Sequence, residues 1–245
     1  MIDSNTLNLS INEKSIIQRL LAYINPPNNY RVTDIWSCFS SPAETKNAKS
    51  PQGSIVLNFT KDEILNIKST KKKLTDFLSK QSKKRCAYCK RPIGNYGWSW
   101  QIEHIKCKSH NKDLTFKLNN LTLACIDCNY RKASSIDKKN RSELIINPND
   151  DDFEYNQHLG MELNATEDFI LLSYEKRSDL GTSTYTNLKL NNLEFSSTLR
   201  SIDENLDFLI DNIDSILTSP PQNDNERHLI ALLGELKENI LSQQN

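Results

Sequence analysis

Apolar residues recur at helical spacing near both ends of the chain and at strand-like spacing in its middle. Ile16, Ile17, Leu20, Leu21 and Ile24 share one helical face; Ser10 and Glu13, at capping-box spacing, start that helix, and Pro26 and Pro27 stop it. Thr60 and Glu63 repeat the box ahead of a second stripe, Ile64, Ile67, Leu74 and Leu78, whose other face carries Lys71, Lys72 and Lys73. Between these helices residues 39–54, FSSPAETKNAKSPQGS, read as an exposed loop. Residues 98–105, WSWQIEHI, and 119–125, NNLTLAC, read as strands, and IDCNYRKAS after them opens a short helix. Late in the chain Ile202, Leu206, Leu209, Ile213 and Ile216, then Leu229, Leu233, Leu236 and Ile240, flank SPPQNDN. Two antiparallel helices fit that pattern, either packed on the rest of the fold or offering a face to a partner helix.

Composition narrows the class. With 245 residues, 37% hydrophobic, the chain can bury a core, and 6 Gly with 8 Pro disfavour a turn-rich β-sandwich. No apolar run nears the roughly 20 residues of a membrane span, and MIDSNTLNLSINEKS lacks a signal peptide's regions, so a cytoplasmic protein with no membrane partner is expected. The net charge of zero conceals an asymmetry. Residues 1–60 hold 5 basic and 4 acidic groups, residues 61–141 hold 20 and 7, and residues 142–245 hold 6 and 20. A basic middle points to an anionic partner. The acidic remainder, from residue 142 on, is read as scaffold, as a partner dock, or as a restraint on access to the basic face.

In a reducing compartment paired cysteines suggest metal rather than disulfides. Cys86 with Cys89 and Cys125 with Cys128 form two C-x2-C pairs, matching the four thiolates of a closed, structural Zn2+ site. Cys38 and Cys107 fall outside the pattern and read as ordinary thiols. Between the pairs lie the adjacent Glu103 and His104, then Asn120, and after the last cysteine Asn129, Arg131 and Lys132. One zinc pinning strand, connection, strand and helix can gather these side chains.

The arrangement C-x2-C, EH, NNL, C-x2-CN-x2-K over residues 86–133 resembles the HNH nucleases with a ββα-metal core and an added zinc knuckle. The resemblance implies His104 as general base, Asn120 as the residue orienting it, and Glu103 with Asn129 as ligands of a catalytic divalent ion. Those oxygen donors suit Mg2+ or Mn2+. Imidazole supplies a base of near-neutral pKa for phosphodiester hydrolysis. Two positions depart from the family's usual residues: Asn129 stands where His is common, and Cys107 where proline often follows. Lys106, Lys108, Arg131 and Lys132 are candidate phosphate contacts; His110, in the polar loop KSHNKD, reads as a solvated loop histidine with assistance at the phosphate as the alternative, and His158 and His228 lack a constellation. Residues 143–163, ELIINPNDDDFEYNQHLGMEL, resemble a segment found after the HNH core in Septu-type anti-phage HNH subunits, which implies an ATPase partner; Asp150, Asp151 and Asp152 otherwise read as a solvated loop.

The expected fold class is α+β: a ββα-metal core with structural zinc embedded in a mainly helical chain. Residues 1–82 are expected as a helical segment with a loop, 83–142 as the nuclease core, and 143–245 as an acidic, mainly helical region. The expected function is metal-dependent endonucleolytic hydrolysis of nucleic acid, with double-stranded DNA as the substrate. The alternative is a noncatalytic zinc-ribbon module that binds nucleic acid through the same basic segment.

Overall fold

The computed structural model describes residues 6–94, 99–165 and 170–199, with isolated positions 213, 216, 232 and 233. The two late helical runs, residues 202–216 and 229–240, lie almost wholly outside the described residues, as does His228. The chain folds as two compact units, Met1–Tyr155 and Asn156–Asn245. No helix among the described residues is long and apolar enough to cross a membrane.

In the first unit helix α1, Ile11–Ile24, carries the expected capping box: Ser10 Oγ accepts the Glu13 N–H at 3.2 Å and Glu13 Oε2 accepts the Ser10 N–H at 2.7 Å. It buries Ile16, Ile17, Leu20 and Ile24, each worth roughly 1.5–3 kcal/mol removed from water. Helix α2, Val32–Ser40, was not anticipated; its N-cap, Arg31, makes no side-chain capping bond, so no sequence signal marks its start. Helix α3, Lys61–Gln81, follows its Thr60–Glu63 box and buries Ile67, Thr70, Leu74 and Leu78. Its three lysines are not a uniformly solvated face. Lys73 Nζ reaches Glu13 Oε2 at 2.7 Å and Asn8 O at 2.9 Å, and Lys71 Nζ reaches Ser40 O, so two of them fasten the N-terminal helices to α3.

The loop expected at residues 39–54 is corrected by the structure. Strands β1, Thr45–Ser50, and β2, Gly53–Asn58, pair antiparallel from Thr45↔Asn58 to Ser50↔Gly53 around Pro51 and Gln52. Gly53 takes φ of +135°, a conformation that side-chain-bearing residues rarely adopt. The hairpin escapes a hydrophobicity reading because its first strand, TKNAKS, has one apolar residue, Ala48, fully buried. Main-chain pairing rather than side-chain alternation defines it.

Strands β3, Trp100–His104, and β4, Leu121–Cys125, form a second antiparallel pair in register Trp100↔Cys125 through His104↔Leu121, and helix α4, Ile126–Ser135, follows at once. Every β4 residue is buried. Phe116, Phe39 and Trp36 form an aromatic cluster with ring centroids 5.1–5.5 Å apart, which packs α2 against the segment between β3 and β4.

The second unit, after a single turn at Tyr155–His158 (α5), contains a third antiparallel hairpin, β5 (Leu159–Ala165) with β6 (Ile170–Lys176), followed by α6 (Asp179–Asn187) and α7 (Leu190–Leu199). A mainly helical chain is therefore replaced by a mixture of helices and three two-stranded sheets among the described residues. In β6 Leu172 and Tyr174 are buried while Leu171 and Glu175 are exposed, a period of two that the adjacent apolar residues Ile170, Leu171 and Leu172 obscure in the sequence. Asn149, from the polar segment before this unit, donates to Asn119 O at 3.0 Å and Leu121 O at 2.9 Å and so pins its own stretch to the start of β4.

Candidate active site and metal centre

The cysteine frame is assembled from main-chain geometry. Cys86 N–H bonds Arg91 O at 2.9 Å and Lys90 N–H bonds Cys86 O at 3.0 Å; Lys90, in the left-handed region at φ 57°, turns the chain back so that Cys86 and Cys89 face one point. Ala87 N–H donates to Leu123 O at 2.9 Å, which fixes this tongue beside β4. The second pair lies at the start of α4, where Cys125 is the N-cap and its sulfur accepts the Cys128 N–H at 3.5 Å. Cys86 Sγ accepts the Cys125 N–H at 3.3 Å.

All four sulfurs are buried and lie within 4.8 Å of one another, with Cys89 and Cys125 at 3.7 Å. Four thiolates about 2.3 Å from one ion stand about 3.8 Å apart, so the cluster fits a tetrahedral structural zinc. Hydrogen bonding from Cys128, then Cys86 and Cys89, holds the Cys125 thiol well below its ordinary range, while burial raises that of Cys86 and hydrogen bonding from Cys125 raises that of Cys128. Among the described residues this is the group of His, Cys, Asp and Glu side chains spaced to hold a metal. Cys38 lies apart; burial lifts its thiol to about 11, and its Sγ meets Asp34 O at 3.4 Å.

His104 ends β3. Its Nε2 stands 3.0 Å from Thr115 O. A carbonyl only accepts, so the ring presents N–H at Nε2 and leaves Nδ1 as the lone-pair nitrogen. The Trp36 ring meets the imidazole edge-on at 4.3 Å and 76°, and the side chain is 3% exposed. Burial, and then the Lys108 charge, push its pKa down to about 3, so at neutral pH it is uncharged.

Asn120 does not bond the imidazole. Its Oδ1 accepts the Lys106 N–H at 2.8 Å, and its Nδ2 donates to Lys106 O at 3.1 Å and Leu114 O at 3.2 Å. It closes the loop that leaves His104 and returns at Thr115. Any effect on the imidazole passes through that loop, since the Thr115 carbonyl is the group that holds the ring.

Glu103 and Asn129 both face partners within the protein. Glu103 Oε1 lies 2.7 Å from Lys132 Nζ, an ion pair outside hydrogen-bond alignment, and Asn129 Nδ2 donates to Gln101 Oε1. Burial raises the Glu103 pKa above its ordinary value, with the Lys132 charge opposing. Lys132 is the clearest departure from expectation. It is 0% exposed, and its ammonium also meets Asp137 Oδ1 at 2.6 Å and His104 O at 2.9 Å, so it is an internal cation and not a phosphate contact. Of the other basic candidates Lys106 is exposed while Lys108 and Arg131 are half-buried.

Thr115, Asp137 and Trp36 were not foreseen. Asp137 lies five residues beyond Lys132 and could have been suspected as an ion-pair partner; Thr115 acts through its carbonyl, which every residue has. His110 is exposed in the loop after β3, and His158 Nδ1 stands 2.9 Å from Ser178 Oγ, a contact inside the second unit.

Comparison with curated proteins and with solved structures gives no match. A family model described as HNH endonuclease matches residues 86–135, from the first cysteine of the cluster to the end of α4. Residues 86–135 are therefore an HNH endonuclease domain organised around a four-cysteine cluster.

Proposed function

We propose that this protein is a metal-dependent endonuclease that hydrolyses phosphodiester bonds of nucleic acid, with DNA as the substrate. The observation that carries the reading is the imidazole of His104, fixed through Nε2 to the Thr115 carbonyl beside Glu103 and within a zinc-fitting frame. His104 is the general base, its Nδ1 lone pair taking a proton from water; Asn120 positions it by closing the loop to Thr115. The anionic substrate phosphate raises the basicity of the imidazole from its depressed value. Glu103 and Asn129 would hold Mg2+ or Mn2+, which supplies charge neutralisation at the phosphate and leaving oxygen. Lys106, Lys108 and Arg131 serve the substrate backbone. The resemblance of residues 143–163 to the segment of Septu-type HNH subunits supports a role in anti-phage defence beside an ATPase.

The test is plasmid cleavage with Mg2+ or Mn2+, with and without proteins that co-purify. Turnover by wild type and none by His104→Ala is expected; equal cleavage by both refutes the assignment. Two observations favour a second reading, a noncatalytic zinc module: His104 is almost inaccessible and Glu103 is already paired with an ammonium. Nucleic-acid binding with no turnover under any metal or partner would select it.

A further inference from the structure

The turn of the β1–β2 hairpin, the start of α2 and the loop after β3 enclose an open groove of about 540 Å3. Arg31, Lys49 and Lys112 line it together with the hydrogen-bonding side chains of Asn29, Thr33 and Ser109, and no lining residue is acidic. The three cations come from distant parts of the sequence. Two of them belong to residues 1–60, whose charges nearly cancel in the linear chain. Arg31 N–H donates to Lys49 O at 2.7 Å, and Asp34 braces the wall by accepting from Arg31 Nη2 at 2.7 Å and from the Lys49 N–H at 3.0 Å. Lys49 and Lys112 form no salt bridge among the described residues. Asp34 offsets Arg31, which leaves Lys49 and Lys112 as the cations of the groove with no ion-pair partner among the described residues and open to an anion.

The groove adjoins the candidate active site through one loop. Ser109 and Lys112 belong to the segment that leaves His104 and returns at Thr115, whose carbonyl holds the imidazole. The same loop thus carries a groove cation, Lys112, and the carbonyl that holds His104.

We propose that this groove is a second nucleic-acid contact, in which Arg31, Lys49 and Lys112 bind backbone phosphates of the substrate beyond the HNH domain. The inference rests on reading residues 86–135 as a nuclease and extends the footprint onto α2 and the β1–β2 hairpin. Lys49 and Lys112 engage phosphate as point charges and supply position rather than sequence, and the Arg31 guanidinium is already oriented by Asp34.

Lys49→Ala/Lys112→Ala is compared with wild type by anisotropy of labelled duplexes of about 10 and about 30 base pairs, without added divalent ion, from about 50 to 200 mM salt. The longer duplex is expected to bind the variant about tenfold more weakly, with the salt slope reduced by about 2, and the short one to change little. The control Lys61→Ala/Lys68→Ala, on the exposed face of α3, is expected to leave the slope unchanged. Unchanged slope and affinity in the groove variant overturn the proposal, as does absence of binding by wild type. Displacement by inorganic phosphate at constant ionic strength without dependence on duplex length assigns the groove to a free anion and overturns it as well. Cleavage is scored separately: wild type that binds with the full slope but never cuts refutes the nuclease reading and keeps the groove, whereas a groove variant of unchanged slope that still cuts does the reverse.

Discussion

The ammonium of Lys132, wholly buried, stands 2.7 Å from the carboxylate of Glu103 and 2.9 Å from the carbonyl of His104. One side chain on α4 thus holds the two adjacent residues of β3 on which the proposed chemistry depends. Asp137, 2.6 Å from the same ammonium, supplies the second negative charge. Burial would lower the Lys132 pKa, but the two carboxylates outweigh it and raise the value, so the lysine stays charged inside the fold.

Lys132→Met removes the shared cation and leaves the buried Glu103 carboxylate without its counter-charge, with the half-buried Asp137 likewise unpaired from it. A loss of about 3–5 kcal/mol is expected in chemical denaturation, the range for breaking a buried ion pair from one side. Lys132→Arg should not restore it, because a planar guanidinium does not fill the place of a compact ammonium. Stability equal to wild type in Lys132→Met would refute the buried triad.

Zinc should be stoichiometric and structural. Elemental analysis is expected to find one Zn2+ per chain in wild type and none in Cys86→Ser/Cys125→Ser, since those substitutions remove one ligand from each C-x2-C pair. A structural site contributes its binding free energy to folding, so the variant should lose the cooperative unfolding of the first unit. A metal-free wild type with unaltered melting would argue against it.

Asn120→Ala should slow turnover more than it weakens substrate binding. The side chain makes three hydrogen bonds to the main chain of the loop and none to the ring. Its loss costs stability by about 1–3 kcal/mol for the buried groups left unpaired. Measured kcat should fall with KM nearly constant; a fall in KM-dependent binding alone would exclude positioning of His104.

Acid stability should report Glu13. Burial opposes its ionisation, but bonds from Lys73 and Ser69 outweigh this and hold its pKa at about 2 against an ordinary 4.5. A carboxylate depressed in the folded state contributes stability that is complete above its unfolded pKa and is lost as pH falls through the folded one. The wild-type advantage over Glu13→Gln should therefore be full above about pH 5 and fade toward pH 2, a change of roughly 3 kcal/mol at 1.36 per unit. An advantage independent of pH in that window would mean that Glu13 acts by shape and not by charge.

Local signals were legible in sequence because they are local in physics. The Ser10–Glu13 and Thr60–Glu63 boxes close within one helical turn, and each C-x2-C pair can cap its own turn and face one ion. The strands at Trp100–His104 and Leu121–Cys125 announced themselves through apolar content. The β1–β2 hairpin did not, since TKNAKS is polar and its pairing lies in main-chain bonds that every sequence possesses. In the second unit the consecutive apolar residues Ile170, Leu171 and Leu172 hid the two-residue period of β6.

By its sequence alone this protein specified two capped helices, a four-cysteine frame of zinc-fitting spacing, and a segment resembling HNH nucleases with Glu103, His104, Asn120 and Asn129 at the positions of that family's motif. Tertiary structure decided which polar groups lose water and which charges become neighbours. It turned Lys132 from a surface cation into a buried counter-ion, placed Asn120 on the loop and not on the ring, and drew Arg31, Lys49 and Lys112 around one groove. Burial and long-range charge depend on packing between segments far apart in the chain, and no spacing within one segment encodes them.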